Sequence, residues 1–245
     1  MLRLLFILLP FALTACSQSN PVTPPANAAA GKQGAVKKAS AVNPIVVELY
    51  QSQGCSSCPP ANAALNAEAG RSDVIALNFS VTYWDRLGWK DTFGDPKYTQ
   101  RQYDYAAALK NPNVYTPQVV INGRSDIVGN NPGELNGAIA ASVPVSGGPA
   151  INHSAGKVTV GGGGGKADIW LIRYDRNVQN VAVKAGENSG RSLPHKNVVR
   201  QLVKLGNWAG KPATYAVPAN QNRNFDTVIL VQRPAAGPII AAKRI

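Results

Sequence analysis

The chain has 245 residues and a formal net charge of +12 at pH 7, from 25 Lys and Arg against 13 Asp and Glu. The excess is uneven, since residues 17–148 carry 10 basic and 9 acidic side chains and residues 149–245 carry 14 and 4. The basic side chains are scattered singly, which favours a solvated surface over an anionic partner for the second half. No nucleic-acid-binding signature is present, and we expect no such partner.

The first residues have the pattern of an export signal. A single basic residue, Arg3, precedes an apolar run over residues 4–13 that is too short to span a bilayer. Leu13-Thr14-Ala15-Cys16 resembles the lipobox of bacterial lipoproteins, which implies a signal peptide over residues 1–15 and acylation of Cys16. Ser17 then implies the periplasmic side of the outer membrane in a Gram-negative envelope. The alternative is an ordinary signal peptide cut further on.

The next segment, residues 16–43, is predicted to be a flexible tether. It is rich in Ala, Pro, Asn, Gln, Ser and Lys and has almost no large apolar side chain. Such a segment buries too little surface to offset the entropy of ordering it. About 200 residues remain for folded structure, and none of their segments is apolar enough to cross a membrane.

Residues 44–145 are predicted to alternate between strands and helices. Pro59 near the first position of a helix and Asp95-Pro96 at the start of another are helix-opening signals. Asn122-Gly123 predicts a two-residue hairpin turn. We expect strands at 45–50, 74–81, 114–121 and 125–129 and helices at 59–69, 95–109 and 131–141.

The second half is predicted to consist of strands. Alternating or continuous apolar character marks residues 151–153, 157–160, 167–174, 180–184, 213–217, 226–232 and 238–242. Residues 198–205 suit a helix or a strand, and the β-rich surroundings favour a strand. These strands predict a small, basic all-β sandwich domain over residues 146–245.

The Cys55-Ser56-Ser57-Cys58 motif is the strongest chemical signal. Two cysteines at this spacing, behind a strand and at the mouth of a helix, can close a disulfide and open it again. The chain's third cysteine is Cys16, so no four-cysteine zinc site is indicated. We expect Cys55, near an exposed turn, to be the nucleophile and Cys58 the buried resolving thiol. Because residues before proline avoid helical dihedrals, the helix should begin at Cys58–Pro59.

Three further side chains are candidates for the same site. Glu48 lies in the strand before the motif, where a buried carboxyl could shuttle the proton of the resolving thiol. The alternative is a Glu that is satisfied by a partner or exposed at an edge. Tyr83 and Trp84 could line the site and bind substrate, and the alternative is that they belong to the core.

The order of elements, with Cys-x-x-Cys opening the first helix and Thr-Pro opening the third strand, resembles the thioredoxin fold. The chain is more narrowly similar to a family of exported bacterial proteins known as DUF1223. Its marks are residues 47–50, 53–61, 83–85, 115–118 and 186–188. The resemblance extends from residue 44 to the end and implies an α/β thioredoxin-like domain over residues 44–145. It also implies a cis Thr116–Pro117 bond beside the cysteines, where substrate binds, but names no substrate.

Three functions remain open from the sequence. The first is an envelope thiol–disulfide oxidoreductase that acts on protein thiols and disulfides and is anchored to the membrane through Cys16. The second is a binding or adaptor lipoprotein in which Cys55–Cys58 is a structural disulfide. The third is a metallochaperone, which is disfavoured because few soft ligands are present. No cofactor is indicated, and phosphate-loop and serine-hydrolase signatures are absent.

Overall fold

A mixed sheet of eight strands lies at the centre of the computed structural model, which describes residues 38–245. The predicted signal peptide, the Cys16 anchor and the tether up to residue 37 lie outside the described residues. The strands are β1 (Ile45–Gln51), β2 (Val74–Ser80), β3 (Gln118–Ile121), β4 (Ser125–Ile127), β5 (Ile151–Ser154), β6 (Lys157–Val160), β7 (Ala167–Asp175), β8 (Gln179–Ala182), β9 (Ser192–His195), β10 (Val198–Trp208), β11 (Ala213–Ala216), β12 (Phe225–Gln232) and β13 (Ile239–Arg244). The helices are α1 (Cys58–Glu68), α2 (Pro96–Leu109) and α3 (Pro132–Ala141).

The central sheet has the strand order β13-β12-β7-β10-β2-β1-β3-β4. Strands β1 and β2 are parallel, while β3 is antiparallel to both β1 and β4. Strand β10 joins β2 in parallel through the Val198–Asn78 pair, and the pairs β10–β7, β7–β12 and β12–β13 are antiparallel. The protein is therefore a mixed α/β fold with one large sheet and few helices.

The helices cover both faces of the sheet at β1 and β2, and every residue of these two strands is buried. Because side chains alternate along a strand, Val47 and Leu49 pack with α1 and α3, whereas Val46 and Tyr50 pack with α2. A strand buried on both faces needs a nearly continuous apolar sequence, which β1 and β2 have.

The strand and helix order predicted for residues 44–145 is present. Helix α1 begins at Cys58 with its prolines in the first turn. Asp95 caps α2 by accepting a hydrogen bond from the Lys97 N–H at 2.8 Å, and Asn131 caps α3. The third strand is shorter than predicted and starts at Gln118.

The prediction of a separate β-sandwich domain over residues 146–245 is not confirmed. The strands of the second half do form two packed sheets, but one of them is the extension of the β1–β4 sheet. The other is the three-stranded sheet β11-β6-β5, which shares an apolar core with β7 and β12. The described residues, 38–245, accordingly lie in one compact unit. The local apolar pattern predicts a strand but does not specify which strand it pairs with.

The β8–β9 hairpin forms a two-stranded sheet of its own and packs against α1. Strand β9 was not among the predicted strands. Its sequence, Ser192-Leu193-Pro194-His195, contains a proline, which is confined to edge strands because it cannot donate to a ladder. This hairpin brings residues of the second half to the cysteine motif.

Candidate functional site around the Cys55–Cys58 disulfide

Cys55 and Cys58 form a disulfide at the N-terminal end of α1, with their Cα atoms 5.5 Å apart. The chain leaves β1 at Gln51 and turns so that the Cys58 N–H donates to the Cys55 carbonyl at 3.2 Å. Ser57, the residue before the helix, makes no side-chain cap. The disulfide therefore spans the junction between a buried strand and a helix.

Both cysteines are buried, with 0% of Cys55 and 1% of Cys58 exposed. The turn beside Cys55 is exposed, as predicted, but the Cys55 side chain itself is not. The two serines between the cysteines are exposed, so the motif lies at the surface while its sulfurs lie beneath it. The burial comes from residues that are distant in the sequence.

The turn between β8 and β9, residues 183–191, covers the motif, and we call it the covering turn. Asn188 is fully buried, and its Nδ2 donates to the carbonyls of Gln53 at 2.9 Å and Cys55 at 2.8 Å. Arg191 Nη1 donates to Asn188 Oδ1 at 2.6 Å and so orients the amide. One side chain thus binds two carbonyls of the segment that carries Cys55.

Glu187 and Gly186 complete the covering turn. Glu187 Oε2 accepts a hydrogen bond from the Ser56 N–H at 2.9 Å, and this bond lowers the pKa of the Glu187 carboxyl. Gly186 has φ of +75°, and a Cβ there would lie 3.4 Å from the Trp89 Cβ and 3.7 Å from the Gly54 Cα. A side chain would fit there at ordinary contact distances, so it is the left-handed backbone, not lack of space, that favours glycine at this position.

The sulfur of Cys55 is in contact with two hydroxyl groups. Thr116 Oγ1 donates to Cys55 Sγ at 3.4 Å, and Ser57 Oγ lies 3.3 Å from the same sulfur. Trp84 Nε1 donates to Thr116 Oγ1 at 2.8 Å, which leaves the Thr116 proton directed toward the sulfur. The Thr116–Pro117 peptide bond is cis. Thr116, Pro117 and Trp84 thus lie beside the cysteines.

Tyr83 and Trp84 are partly buried and pack against the core on the α2 side. Their rings lie 6.5 Å apart, and burial raises the pKa of Tyr83. Trp84 is therefore linked to the Cys55 sulfur by the Thr116 hydroxyl, which binds both of them. Tyr83 packs against the core.

Glu48 is in an ion pair and does not face the cysteine helix. Arg101 of α2 donates to Glu48 Oε1 through Nη2 at 2.8 Å and Nε at 3.1 Å, and both side chains are buried. Glu48 shares a sheet face with Val46 and Tyr50, opposite the face on which α1 packs. The proposed role of Glu48 as a proton shuttle is not supported by this placement.

The loop before Cys55 is also held by a segment that the sequence did not single out. Asp91 is buried, its Oδ2 accepts from the Gln53 N–H at 2.7 Å, and burial raises its pKa. The Gln53 side chain accepts from Trp89 Nε1 at 2.9 Å. The residues from 89 to 93 therefore support one side of the motif, and the covering turn supports the other.

Strand β9 is fixed to α1 by two asparagines. Asn62 and Asn66 donate from Nδ2 to the Pro194 carbonyl at 2.6 and 2.9 Å. Next to Pro194, His195 is buried against the edge of Phe93, and desolvation lowers its pKa to about 4. The covering turn therefore extends from a hairpin whose base is anchored.

Two further observations concern metal ligands and membrane-spanning helices in residues 38–245. None of their His, Cys, Asp and Glu side chains form a group of three arranged to hold a metal ion. No helix in this range has the length and apolar character needed to cross a membrane.

Residues 46–232 match the family model described as a protein of unknown function, DUF1223, and the chain belongs to this family. An Agrobacterium tumefaciens protein solved by X-ray crystallography is 30% identical, with a TM-score of 0.70 over 85% of this chain and 95% of that chain. HBP35 of Porphyromonas gingivalis is 13% identical, with a TM-score of 0.57 over 85% of this chain and 76% of that one, and it shares the fold alone. The comparison with curated proteins gives no match.

The residues that sequence reasoning missed are Glu187, Asn188 and Asp91. Gly186-Glu187-Asn188 was visible as a mark of the family, but the sequence does not show that it touches the motif. Their contacts to the segment around Cys55 join residues more than a hundred positions apart, except for Asp91, which is 38 positions from Gln53.

Proposed function

We propose that this protein is a thiol–disulfide oxidoreductase that exchanges disulfides with proteins of the cell envelope. The observation that carries the proposal is the environment of Cys55 Sγ, which has the Thr116 and Ser57 hydroxyls at 3.4 and 3.3 Å. Hydroxyl donors stabilise a thiolate, whereas an inert crosslink needs no such donors.

The proposal includes a thioredoxin-like unit from β1 to α3. Its support is the strand–helix order, the disulfide at the first turn of α1 and the cis proline directly before Gln118, where β3 begins against β1. In this arrangement Cys55 and the Thr116 backbone form one continuous site. The strands of the second half extend the sheet of this unit and supply the covering turn.

The exchange needs no cofactor for a single turnover. A partner thiolate attacks Cys55 Sγ, the Cys55–Cys58 bond breaks, and Cys58 leaves as a thiolate that takes up a proton. A second partner thiolate then attacks the partner sulfur of the mixed disulfide, and Cys55 leaves as the thiolate. The partner dithiol is oxidised to a disulfide and the Cys55–Cys58 disulfide is reduced. The reverse sequence oxidises the protein and reduces the partner.

The burial of both sulfurs favours a second candidate, a binding or adaptor protein with a structural disulfide. A sulfur with no exposed surface cannot be attacked unless the residues above it move. Exchange therefore requires the residues that bury the sulfurs to move, whereas a structural disulfide does not.

Trapping of mixed disulfides separates the two candidates. With Cys58→Ser, an exchange enzyme stops at the mixed disulfide on Cys55, and we expect covalent adducts with envelope proteins on non-reducing gels. Cys55→Ser is the matched control, because it keeps one thiol at the same motif, and we expect it to trap few adducts. Equal trapping by both variants contradicts the assignment of roles, and no adducts with either variant favours the structural disulfide.

We also propose that the protein is exported and anchored through an acylated Cys16. The support is the pattern of the first sixteen residues together with an oxidised cysteine pair, since disulfides persist in oxidising compartments. Mass spectrometry of the mature N-terminal peptide tests it. Lipid on Cys16 that disappears in Cys16→Ala agrees with the proposal, and an unmodified N-terminus further along the chain contradicts it.

A further inference from the structure

The covering turn binds three backbone groups of the segment that carries Cys55. Asn188 occupies the carbonyls of Gln53 and Cys55, and Glu187 occupies the Ser56 N–H. These three groups belong to the segment that carries the attacked sulfur. While the turn is docked, the two cysteines have at most 1% of their surface exposed.

The two side chains of the turn differ in how firmly they are held. Asn188 is fully buried and is oriented by Arg191, so it acts as the anchor. Glu187 is exposed, and its bond to Ser56 is open to solvent. Another carboxylate can therefore replace Glu187 at the Ser56 N–H with little loss, because the exchange keeps a charge-assisted hydrogen bond at the start of α1.

The charges around the turn favour an acidic partner. Lys184 and Arg191 belong to the turn itself, and Arg86 is exposed in the short helical turn that follows Trp84. The acids nearby are Glu187, bound to Ser56, Asp85, whose Oδ1 accepts from the Asp91 N–H, and the buried Asp91, whose Oδ2 accepts from the Gln53 N–H. Among these three acids only Glu187 is exposed, so its displacement leaves the exposed cations of the turn and of Arg86.

Resting on the exchange activity proposed above, we propose that the covering turn is a built-in competitor of the protein substrate. The substrate is an extended segment with an acidic side chain close to its reacting cysteine. Its carboxylate replaces Glu187 at Ser56, Asn188 then releases the Gln53 and Cys55 carbonyls, and Cys55 Sγ becomes reachable. Cysteines without an acidic neighbour react slowly because they do not displace the turn.

Two thiol peptides that differ in one residue test the substrate class. Both are short and extended with one cysteine, and one has Glu and the other Gln two residues from it. The rate at which each reduces the oxidised full-length protein is followed by quenching, alkylation of free thiols and mass spectrometry. We expect the Glu peptide to react at least about fivefold faster at low salt, with the difference falling as salt rises.

Two variants test the turn, with dithiothreitol as an uncharged reductant. Asn188→Ala should speed reduction about tenfold, because two hydrogen bonds that hold the turn are lost. Asn180→Ala, on the exposed face of β8, is its control. Glu187→Gln is exposed and is not expected to affect folding, and it should reduce the difference between the two peptides. Glu134→Gln, an exposed carboxylate in the first turn of α3, is its control.

The outcomes separate this inference from the proposed function. If the wild-type disulfide exchanges with both peptides at equal rates and both turn variants react like their controls, the inference is overturned and the exchange activity stands. If neither the wild type nor Asn188→Ala is reversibly reduced, with a potential far below about −300 mV, the exchange activity fails and the inference fails with it.

Discussion

The two faces of the central sheet hold their polar groups in different ways. On the α2 face, Glu48 and Arg101 form a fully buried ion pair, and Arg101 lies 5.0 Å from the centre of the Tyr105 ring. On the α1 side, the disulfide segment is held by the buried amide of Asn188 and the exposed carboxylate of Glu187. Opening the ion pair would leave a buried charge without a partner, whereas releasing the covering turn leaves no buried charge unpaired. We therefore expect the α2 face to stay fixed and the covering turn to be the part that can be released.

The largest expected effect is on the α2 face. Arg101→Met leaves the Glu48 carboxylate buried and unpaired, and we expect a loss of about 3–5 kcal/mol in the free energy of unfolding. Denaturant unfolding measures it. The double variant Glu48→Gln with Arg101→Met should recover most of the loss, because no buried charge remains. A loss below about 1 kcal/mol for the single variant would contradict the description of this face as a fixed core.

The next effect is a loss of folding stability at low pH, caused by His195 in the β8–β9 hairpin. Burial lowers the pKa of His195 from 6.5 to about 4, so between these values the unfolded chain binds a proton that the folded protein does not. Stability should therefore fall as the pH drops from 6.5 to 4, by up to about 3 kcal/mol. Unfolding followed from pH 7 to pH 4 measures it. His195→Leu should flatten this part of the profile, whereas His153→Leu, at an exposed position of β5, should leave it unchanged. A wild-type profile that is flat between pH 6.5 and 4 would count against a buried, neutral His195.

A smaller effect is expected at the sulfur itself. Thr116→Val keeps the shape of the side chain and removes the hydroxyl that donates to Cys55 Sγ at 3.4 Å. The thiolate loses a hydrogen bond, so the pKa of the reduced Cys55 should rise and its rate of alkylation at pH 7 should fall up to about tenfold. Thr214→Val, at a distant pair of threonines in the β11–β6 sheet, is the matched control. An alkylation rate equal to that of the wild type would remove the main support for a stabilised thiolate.

The smallest effect provides a reference for the buried ion pair. Arg176 pairs with Asp226 at 3.1 Å, but 56% of one side chain and 37% of the other are exposed. Arg176→Met should change the free energy of unfolding by less than about 1 kcal/mol, since exposed ion pairs contribute little. The same substitution at two arginines thus compares a buried with an exposed pair. Equal losses at both positions would show that burial does not set the difference.

Much of the first half could be predicted from the sequence because its signals are local. Continuous apolar residues specify β1 and β2, Asp95 and Asn131 cap helices, and prolines fix the start of α1. The strands of the second half were also visible as apolar runs. Their membership of the central sheet was not, because β10 joins β2 through residues 120 positions apart. Strand pairing over such a distance leaves no local pattern.

The candidate site was predicted in part. The motif placed the two cysteines at the start of a helix, and the Thr-Pro pair placed Thr116 beside them. Whether the Glu48 side chain points toward the cysteine helix depends on which face of the sheet α1 occupies. The sequence of strand β1 alone does not show which face that is. The contacts of Asn188 and Glu187 to the motif come from the other half of the chain, and no local pattern shows them. The local sequence therefore predicts the cysteine pair but not the residues that bind its backbone.

The reduction potential of the Cys55–Cys58 pair in the full-length protein tests the central claim most directly. Equilibration with glutathione or dithiothreitol buffers, followed by alkylation of free thiols, gives the fraction reduced at each potential. If the pair exchanges disulfides, we expect reversible reduction with a potential between about −300 and −120 mV, the range of exchange proteins. A couple well below about −300 mV would identify the disulfide as a structural crosslink and contradict the account.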